Sequence, residues 1–380
     1  MSDPVKTAGL HFKVSQAPEW TDLFKRDRGW TGSDGIYAVP LGGREGPGQL
    51  DQAQILVFGD TFIGQVDGEG IRRQTRMTYN TIARLHSGHP APQGLRFLWG
   101  ANGDGGDGPF FTPATPRAQD QGQCWYWLQD GLVVNGHFYL MPMLVAKDPE
   151  GPPGFQFRDF GTCLIKVPVG RDGPQWAEHR QFDTPFFDVN PQRKLFFGAA
   201  FMPNTKEAGA PAPDGHIYVY GRYQPRGDDE IKLAAARVPA DHLEDWRQWR
   251  FWDGSGWDSA ISAAAPLGRG GPELSVTPVA TGPLQGKYLL VSMHVERNLY
   301  LRIGDSPVGP FGPRIDIYRT DEPDQGQEIY TYNAKAHPSL SPEGKWLLSY
   351  NVNSRDWDSL LQNGDIYRPR FLWLQIETGR

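Results

Sequence analysis

Cysteine is nearly absent, with 2 residues in a chain of 380. Cys124 and Cys163 offer neither a disulfide framework nor metal-ligand spacing. Buried free thiols are expected, with no metal and no cofactor. No apolar run approaches the ~20 residues that a membrane-spanning helix needs. There is no excess of basic residues either: 38 Lys and Arg stand against 44 Asp and Glu, a net charge of −6. That balance argues against nucleic acid or an anionic membrane as partner. Residues 1–14 carry Lys6 and Lys13 but lack the apolar stretch of a secretory signal. The expectation is a cytoplasmic protein, or a secreted one whose leader has been trimmed.

Glycine and proline are abundant, at 46 and 33 residues. Each disfavours a helix interior by roughly 1–3 kcal/mol, which excludes an all-α bundle. The 13 Trp, 14 Tyr and 20 Phe supply a large core and exclude disorder.

A weak internal repeat organises the chain. Five segments read as strands: 54–62 (QILVFGDTF), 136–144 (GHFYLMPML), 215–223 (GHIYVYGRY), 286–294 (GKYLLVSMH) and 344–353 (GKWLLSYNVN). Four open with Gly, then His or Lys, then an aromatic within two residues. That Gly suits a tight hairpin turn. A strand-like run precedes each segment and another follows it. Five antiparallel triplets, some with room for a fourth strand, predict an all-β, five-bladed β-propeller. Radial closure leaves only short sheet edges. The propeller forms a single domain over 1–380, with blades at about 25–100, 120–168, 190–255, 270–318 and 328–380. Two β-sandwiches are the alternative. Residues 241–252 predict one short helix.

Topology then selects the site. If each blade's first strand is innermost, its start and the end of the second strand open onto one mouth, where ligands of a toroid bind. Asp34 starts the first inner strand, and Asp60 ends the strand beside it. Asp130 starts the second blade and Glu273 the fourth. Arg222 and His294 end second strands, and Asn333 and His337 flank the fifth inner strand. Arg76 and Asn80 are expected to return towards the mouth, where Arg76 could pair with Asp34 or Asp60. Trp30 and Trp127 could stack on sugar faces. Two carboxyl groups at one mouth are what glycoside cleavage requires: one protonates the leaving oxygen, and the other attacks or activates water. Environment must drive their pKa values apart.

At these residues the chain resembles the five-bladed propeller glycosidases, which include arabinanases, fructosidases and mannoside phosphorylases. More specifically, residues 31–35 (TGSDG), 58–62 (FGDTF), 79–81 (YNT) and 336–341 (AHPSLS) resemble the domain-of-unknown-function family 4185, some members of which are endo-D-arabinanases. The likeness runs over about 25–376. It implies hydrolysis of a furanoside or similar bond, with Asp34 and Asp60 as the matching acids and Glu273 as a further candidate. The missing export signal favours short oligosaccharides over a cell-wall polymer.

Each residue also has a plainer reading. Ser-Asp-Gly at 33–35 is good turn chemistry, whereas a carboxylate at Asp60, ending an apolar run, is costly to bury without partners. Asp130 reads as a turn or supporting acid, and His337 as an internal hydrogen-bonding group in the axial channel. Glu273 could equally be an exposed edge. Two other functions remain open on the sequence. A sugar-binding propeller without turnover needs no acid of raised pKa. A phosphorylase needs a basic pocket, for which Arg73, Arg76 and Arg222 are the available material.

Overall fold

In a computed structural model, residues 5–7, 9–151 and 156–379 are described. Their regular structure is mostly antiparallel sheet. Five four-stranded units follow one another along the chain. The first pairs Tyr37–Pro40, Gln54–Phe58, Thr81–Leu85 and Leu95–Leu98 in order. The second is Gly131–Val134, His137–Leu140, Phe157–Gly170 and Arg180–Asp183. The third is Arg193–Asn204, His216–Pro225, Lys232–Pro239 and Arg250–Trp252. The fourth is Leu274–Pro278, Tyr288–Ser292, Asn298–Gly304 and Ile315–Arg319. The fifth takes Ile329–Ala336, Trp346–Ser354 and Pro369–Thr378, then adds Leu10–Gln16 as its fourth strand, with the short strand Val5–Thr7 outside it. The first-named strands pack against one another in sequence around an axis, which makes the fold a β-propeller.

Strand periodicity explains how neighbouring sheets adhere. Successive side chains point to opposite faces. Ile55 and Val57 therefore join Tyr126, Phe138 and Ile165 in the core between the first and second sheets. Leu56 and Phe58 face the other way and join Trp20, Phe24 and Phe371 on the side of the fifth sheet. Trp30 belongs to that second core, only 1% exposed and stacked on Phe97 at 4.6 Å.

The first two sheets are each broken in mid-strand and continue beyond the ring. Arg28–Ser33, Thr61–Val66 and Arg72–Thr78 extend the first sheet. Cys124–Trp127 and Met143–Lys147 extend the second. The 54–62 segment thus bends at Gly59 and Asp60 rather than running as one strand.

Residues 241–252 do not form the expected helix. They contain 3₁₀ turns at Ala240–His242 and Trp246–Gln248, then a strand at Arg250–Trp252. Trp249 is fully buried and its indole donates to the Leu243 carbonyl at 3.1 Å, a tie that a regular helix would break. The cysteines are free thiols, Cys163 buried and Cys124 half-buried. Among the described residues no helix is long and apolar enough to cross a membrane, and no cluster of metal-ligating side chains occurs.

Leu10–Gln16 ties the start of the chain to its end, in register from Leu10 opposite Thr378 to Gln16 opposite Leu372. Phe12 anchors it in the core. Phe12→Ala should cost about 3–5 kcal/mol in urea unfolding. Lys13→Ala, removing only an exposed pair with Glu377 at 2.7 Å, should cost under about 1 kcal/mol.

Candidate active site

The break in the first sheet brings two aspartates together. Asp34 lies just before Tyr37–Pro40, and Asp60 just after Gln54–Phe58. Their backbones are cross-linked: the Asp34 amide donates to the Asp60 carbonyl at 3.3 Å, and the Gly59 amide to the Asp34 carbonyl at 3.0 Å. Only a residue without Cβ fits at 59, because a Cβ there would stand 2.6 Å from Asp34 Oδ1. Gly35, at φ +59, turns the chain back into the ring beside Glu273.

The two carboxyl groups have different surroundings. Asp34 accepts the Tyr332 hydroxyl on Oδ2 at 2.7 Å, and the Tyr367 hydroxyl also bonds to it. Burial raises its pKa to about 6; the two tyrosines and Lys335 oppose that rise, while Glu273 adds to it. Asp60 accepts the Trp127 indole on Oδ1 at 3.0 Å. Burial, and then the neighbouring Asp34, push its pKa well above the ordinary 3.8, with the indole as a lesser opposing influence. Two like charges so close cannot both form freely. Burial favours the neutral form of both, and the hydroxyl donors favour charge on Asp34 more than the single indole favours it on Asp60.

Below this pair sits a buried cation. Lys335 is 1% exposed, is ion-paired to Glu273, and lies 4.3 Å from the centre of the Tyr37 ring. The Tyr37 hydroxyl in turn donates to the Ala199 carbonyl at 2.7 Å. Glu273 thus reaches the axis as the partner of an ammonium, an arrangement that suits field-setting better than proton donation. Asp130, at the matching break in the second sheet, accepts the Gly131 and Phe201 amides at 2.8 and 2.7 Å. It clamps the second sheet to the third, and burial raises its pKa to about 7.

The other expected site residues divide clearly. Trp127 reaches Asp60 and is backed by Phe157 at 4.7 Å. Arg222 lies over Phe196 at 5.0 Å, close enough to Glu273 for its charge to be felt. Asn333 sits at φ +60 in the bulge between Tyr332 and Lys335, its buried Oδ1 without a hydrogen-bond partner among the described residues. His294 is half-buried and pushed towards neutrality by burial.

Four residues are not at the pair. Trp30 points into the core, packed on Phe58 and Phe97, next to a bulge between Trp30 and Gly32. Arg76 is on the exposed extension and pairs with Asp104 at 3.3 Å, not with Asp34 or Asp60. Asn80 is fully buried, its amide bonded to the Phe111 and Tyr126 carbonyls and its oxygen to the Phe111 amide. His337 lines the axial channel away from the aspartates and bonds to Ser349 at 2.7 Å; burial lowers its pKa to about 3.

Sequence reasoning did not identify Tyr367. It follows the short helix Trp357–Gln362 and has φ +68, a strained conformation for a bulky side chain. Residue by residue, nothing in its neighbourhood signals a site. Tyr332 and Lys335 lie in the fifth-blade segment that the sequence marks as polar, but their contacts depend on the ring.

Comparison with known proteins places the chain in context. Residues 18–376 match the family model described as "Domain of unknown function (DUF5005)". This is not family 4185, whose motifs the sequence resembles. No curated protein matches the sequence. Among solved structures, a proposed hydrolase from Bacteroides ovatus ATCC 8483 shares the fold at a TM-score of 0.69 and 19% identity, over 98% of this chain and 93% of that one. A Microbacterium saccharophilum K-1 β-fructofuranosidase mutant is more distant, at a TM-score of 0.47 and 10% identity over 98% and 78% of the two chains. The GH43_1 enzyme from Xanthomonas citri, complexed with xylotriose, aligns at 0.41 and 16% over 95% and 93%.

A raised carboxyl pKa has a stability consequence. Because the fold raises the Asp60 pKa, folding takes up protons at pH values above the ordinary 3.8. This penalty is absent below the ordinary value of 3.8 and grows as pH rises towards the folded value. Asp60→Asn, already neutral, should raise Tm at pH 7, and the gain should vanish near pH 3. Calorimetry at both pH values reads this directly.

Proposed function

Starting from a chain that belongs to the DUF5005 family, we propose that it is a glycoside hydrolase in which Asp60 is the general acid and Asp34 the carboxylate that attacks the anomeric carbon or directs water onto it. The observation that carries this reading is the unequal solvation of two adjoining carboxyl groups. Hydroxyl donors from Tyr332 and Tyr367 converge on Asp34, while Asp60 receives the Trp127 indole. Donors stabilise an anion, and burial beside an anion keeps the second acid protonated. One group is thereby ready to give a proton to the departing glycosidic oxygen. The other is ready to meet the positive charge that develops at the anomeric carbon.

Aromatic residues around the pair support a carbohydrate ligand. Trp125 and Trp127 point to the same face of their strand, since side chains alternate along it. Trp125 stacks on Tyr79 at 4.6 Å and 14°, and Tyr79 is 39% exposed. Such a shelf offers apolar area with polar tips, which suits a sugar ring. The motifs around Asp34 and Asp60 favour a furanoside of the arabinan type at the cleaved bond.

The phosphorolytic alternative loses most of its material. Arg73 pairs with Asp67 at 2.9 Å and Arg76 with Asp104, both on the exposed extension. A sugar-binding propeller without turnover would have no use for an acid held protonated beside a carboxylate.

Three outcomes test the reading. On a panel of chromogenic glycosides that includes both arabinofuranoside enantiomers, Asp34→Asn and Asp60→Asn should each lower kcat by about 10²–10⁴-fold while the fold persists. A variant that keeps the wild-type rate removes that residue from the mechanism. Turnover should rise with pH through about 6 as Asp34 ionises, then fall at higher pH as Asp60 loses its proton. Tyr367→Phe deletes a donor to the Asp34 anion, so the acid limb of that profile should move to higher pH; a purely structural tyrosine would leave the limb in place.

A further inference from the structure

A pair of tyrosines links Asp34 to a groove on the surface. Tyr332, bonded to Asp34, is followed outward on the same face of its strand by Tyr330, the two rings 5.3 Å apart. Tyr330 forms one wall of a groove of about 560 Å³ between the fourth and fifth sheets, whose other walls include Val295, Glu296, Arg297, Asp324 and Arg355. That volume accommodates a sugar unit with room to spare.

Charge within the groove is unevenly matched. Glu296 is neutralised by Arg314 at 2.7 Å and Arg269 at 3.8 Å. Asp324 is neutralised by Arg297 and by Arg319 at 3.1 Å. Arg355 has no carboxylate within ion-pair distance among the described residues; its guanidinium lies over the Tyr330 ring at 5.2 Å. Stacking of this kind orients a guanidinium while leaving its in-plane N–H donors free for a bidentate anion. Val295, 41% exposed, adds apolar surface on the facing wall.

We propose that this groove binds an anionic sugar unit of the substrate, attached on the Asp34 side of the cleaved bond, with Arg355 as the partner of its carboxylate or sulfate and Tyr330 as the platform beneath. The inference rests on the glycoside reading of the neighbouring aspartates and names a class of substrate for it: an oligosaccharide that carries an acidic residue next to the bond that breaks. The groove provides recognition only, and no bond changes there.

The test is a binding comparison on the intact protein. A panel of uronate-containing oligosaccharides, the same oligosaccharides with their carboxyl groups reduced to alcohols, and sulfated counterparts would be titrated calorimetrically at low and high salt. At least one acidic member should bind about tenfold or more tightly than its reduced twin. Salt should erode that advantage, because the charge lies in an open groove. In Arg355→Gln the ratio should fall to about one, whereas Arg247→Gln, which alters an exposed arginine paired with Asp245 at 2.8 Å, should keep it. Preference for the uronate over the sulfated arm identifies a carboxylate as the group held; the reverse identifies a sulfate. Equal binding of acidic and reduced members, no binding of any acidic member, or a preference that survives Arg355→Gln overturns the proposal. Hydrolysis of neutral glycosides by a protein without acidic preference would sink the groove alone. Acidic preference without turnover of any glycoside would sink the glycosidase reading and leave the groove standing.

Discussion

One buried ammonium organises the charge of the whole axis. Lys335 is enclosed by Glu273 and the Tyr37 ring, and its field reaches both Asp34 and Asp130. An uncompensated charge in such a place would cost several kcal/mol, so Lys335 and Glu273 must come together as a pair. Once Glu273 is satisfied, no second buried cation among the described residues forms an ion pair with Asp34 or Asp60. They must solve their repulsion between themselves, and the proposed assignment puts the proton where only an indole donates and the charge where hydroxyl groups converge. The division of labour proposed for the two aspartates rests on how the axis is neutralised.

The backbone makes this solution available at one place. The first sheet breaks between Phe58 and Thr61 and between Ser33 and Tyr37, and the carboxyl groups occupy the gap. Gly59 is the close-approach point, since any side chain there would displace Asp34. The tyrosines come from elsewhere in the chain: Tyr332 from a bulged inner strand and Tyr367 from a loop in left-handed conformation. Strain at Tyr367 persists because the surrounding packing holds it, a pattern common where geometry serves chemistry.

How much of this could be read from the residues depended on whether the signal was local. The repeated strand triplets and the acids at strand starts were legible, because turn glycines, apolar alternation and an acid at the edge of an apolar run are all short-range patterns. Asp34, Asp60, Asp130 and Glu273 do lie around one axis. Trp30 was misleading because an aromatic at a strand serves packing as readily as binding, and here it is buried against Phe58 and Phe97. Arg76 was misleading because the first sheet extends past the ring and carries it to an exposed flank. Asn80 has the composition of a ligand-binding residue, yet its amide is spent tying the segment at Phe111 to the strand at Tyr126. Tyr367 was invisible, since only ring closure brings it to Asp34. Likewise the pairing of Lys335 with Glu273 joins positions 62 residues apart, a distance no local pattern bridges.

The clasp between Leu10–Gln16 and Pro369–Thr378 sets an order of events for the newborn chain. The early strand is synthesised long before its partner, so the edge that faces Pro369–Thr378 must wait unpaired until that segment emerges. Throughout that interval the growing toroid is an open arc with two raw edges, vulnerable to joining a neighbouring arc instead of itself. Cells making this protein would gain from a holding factor that shields the waiting segment. An experimenter could instead fuse the ends with a short linker and cut the circle elsewhere, so that the two clasping strands are made back to back.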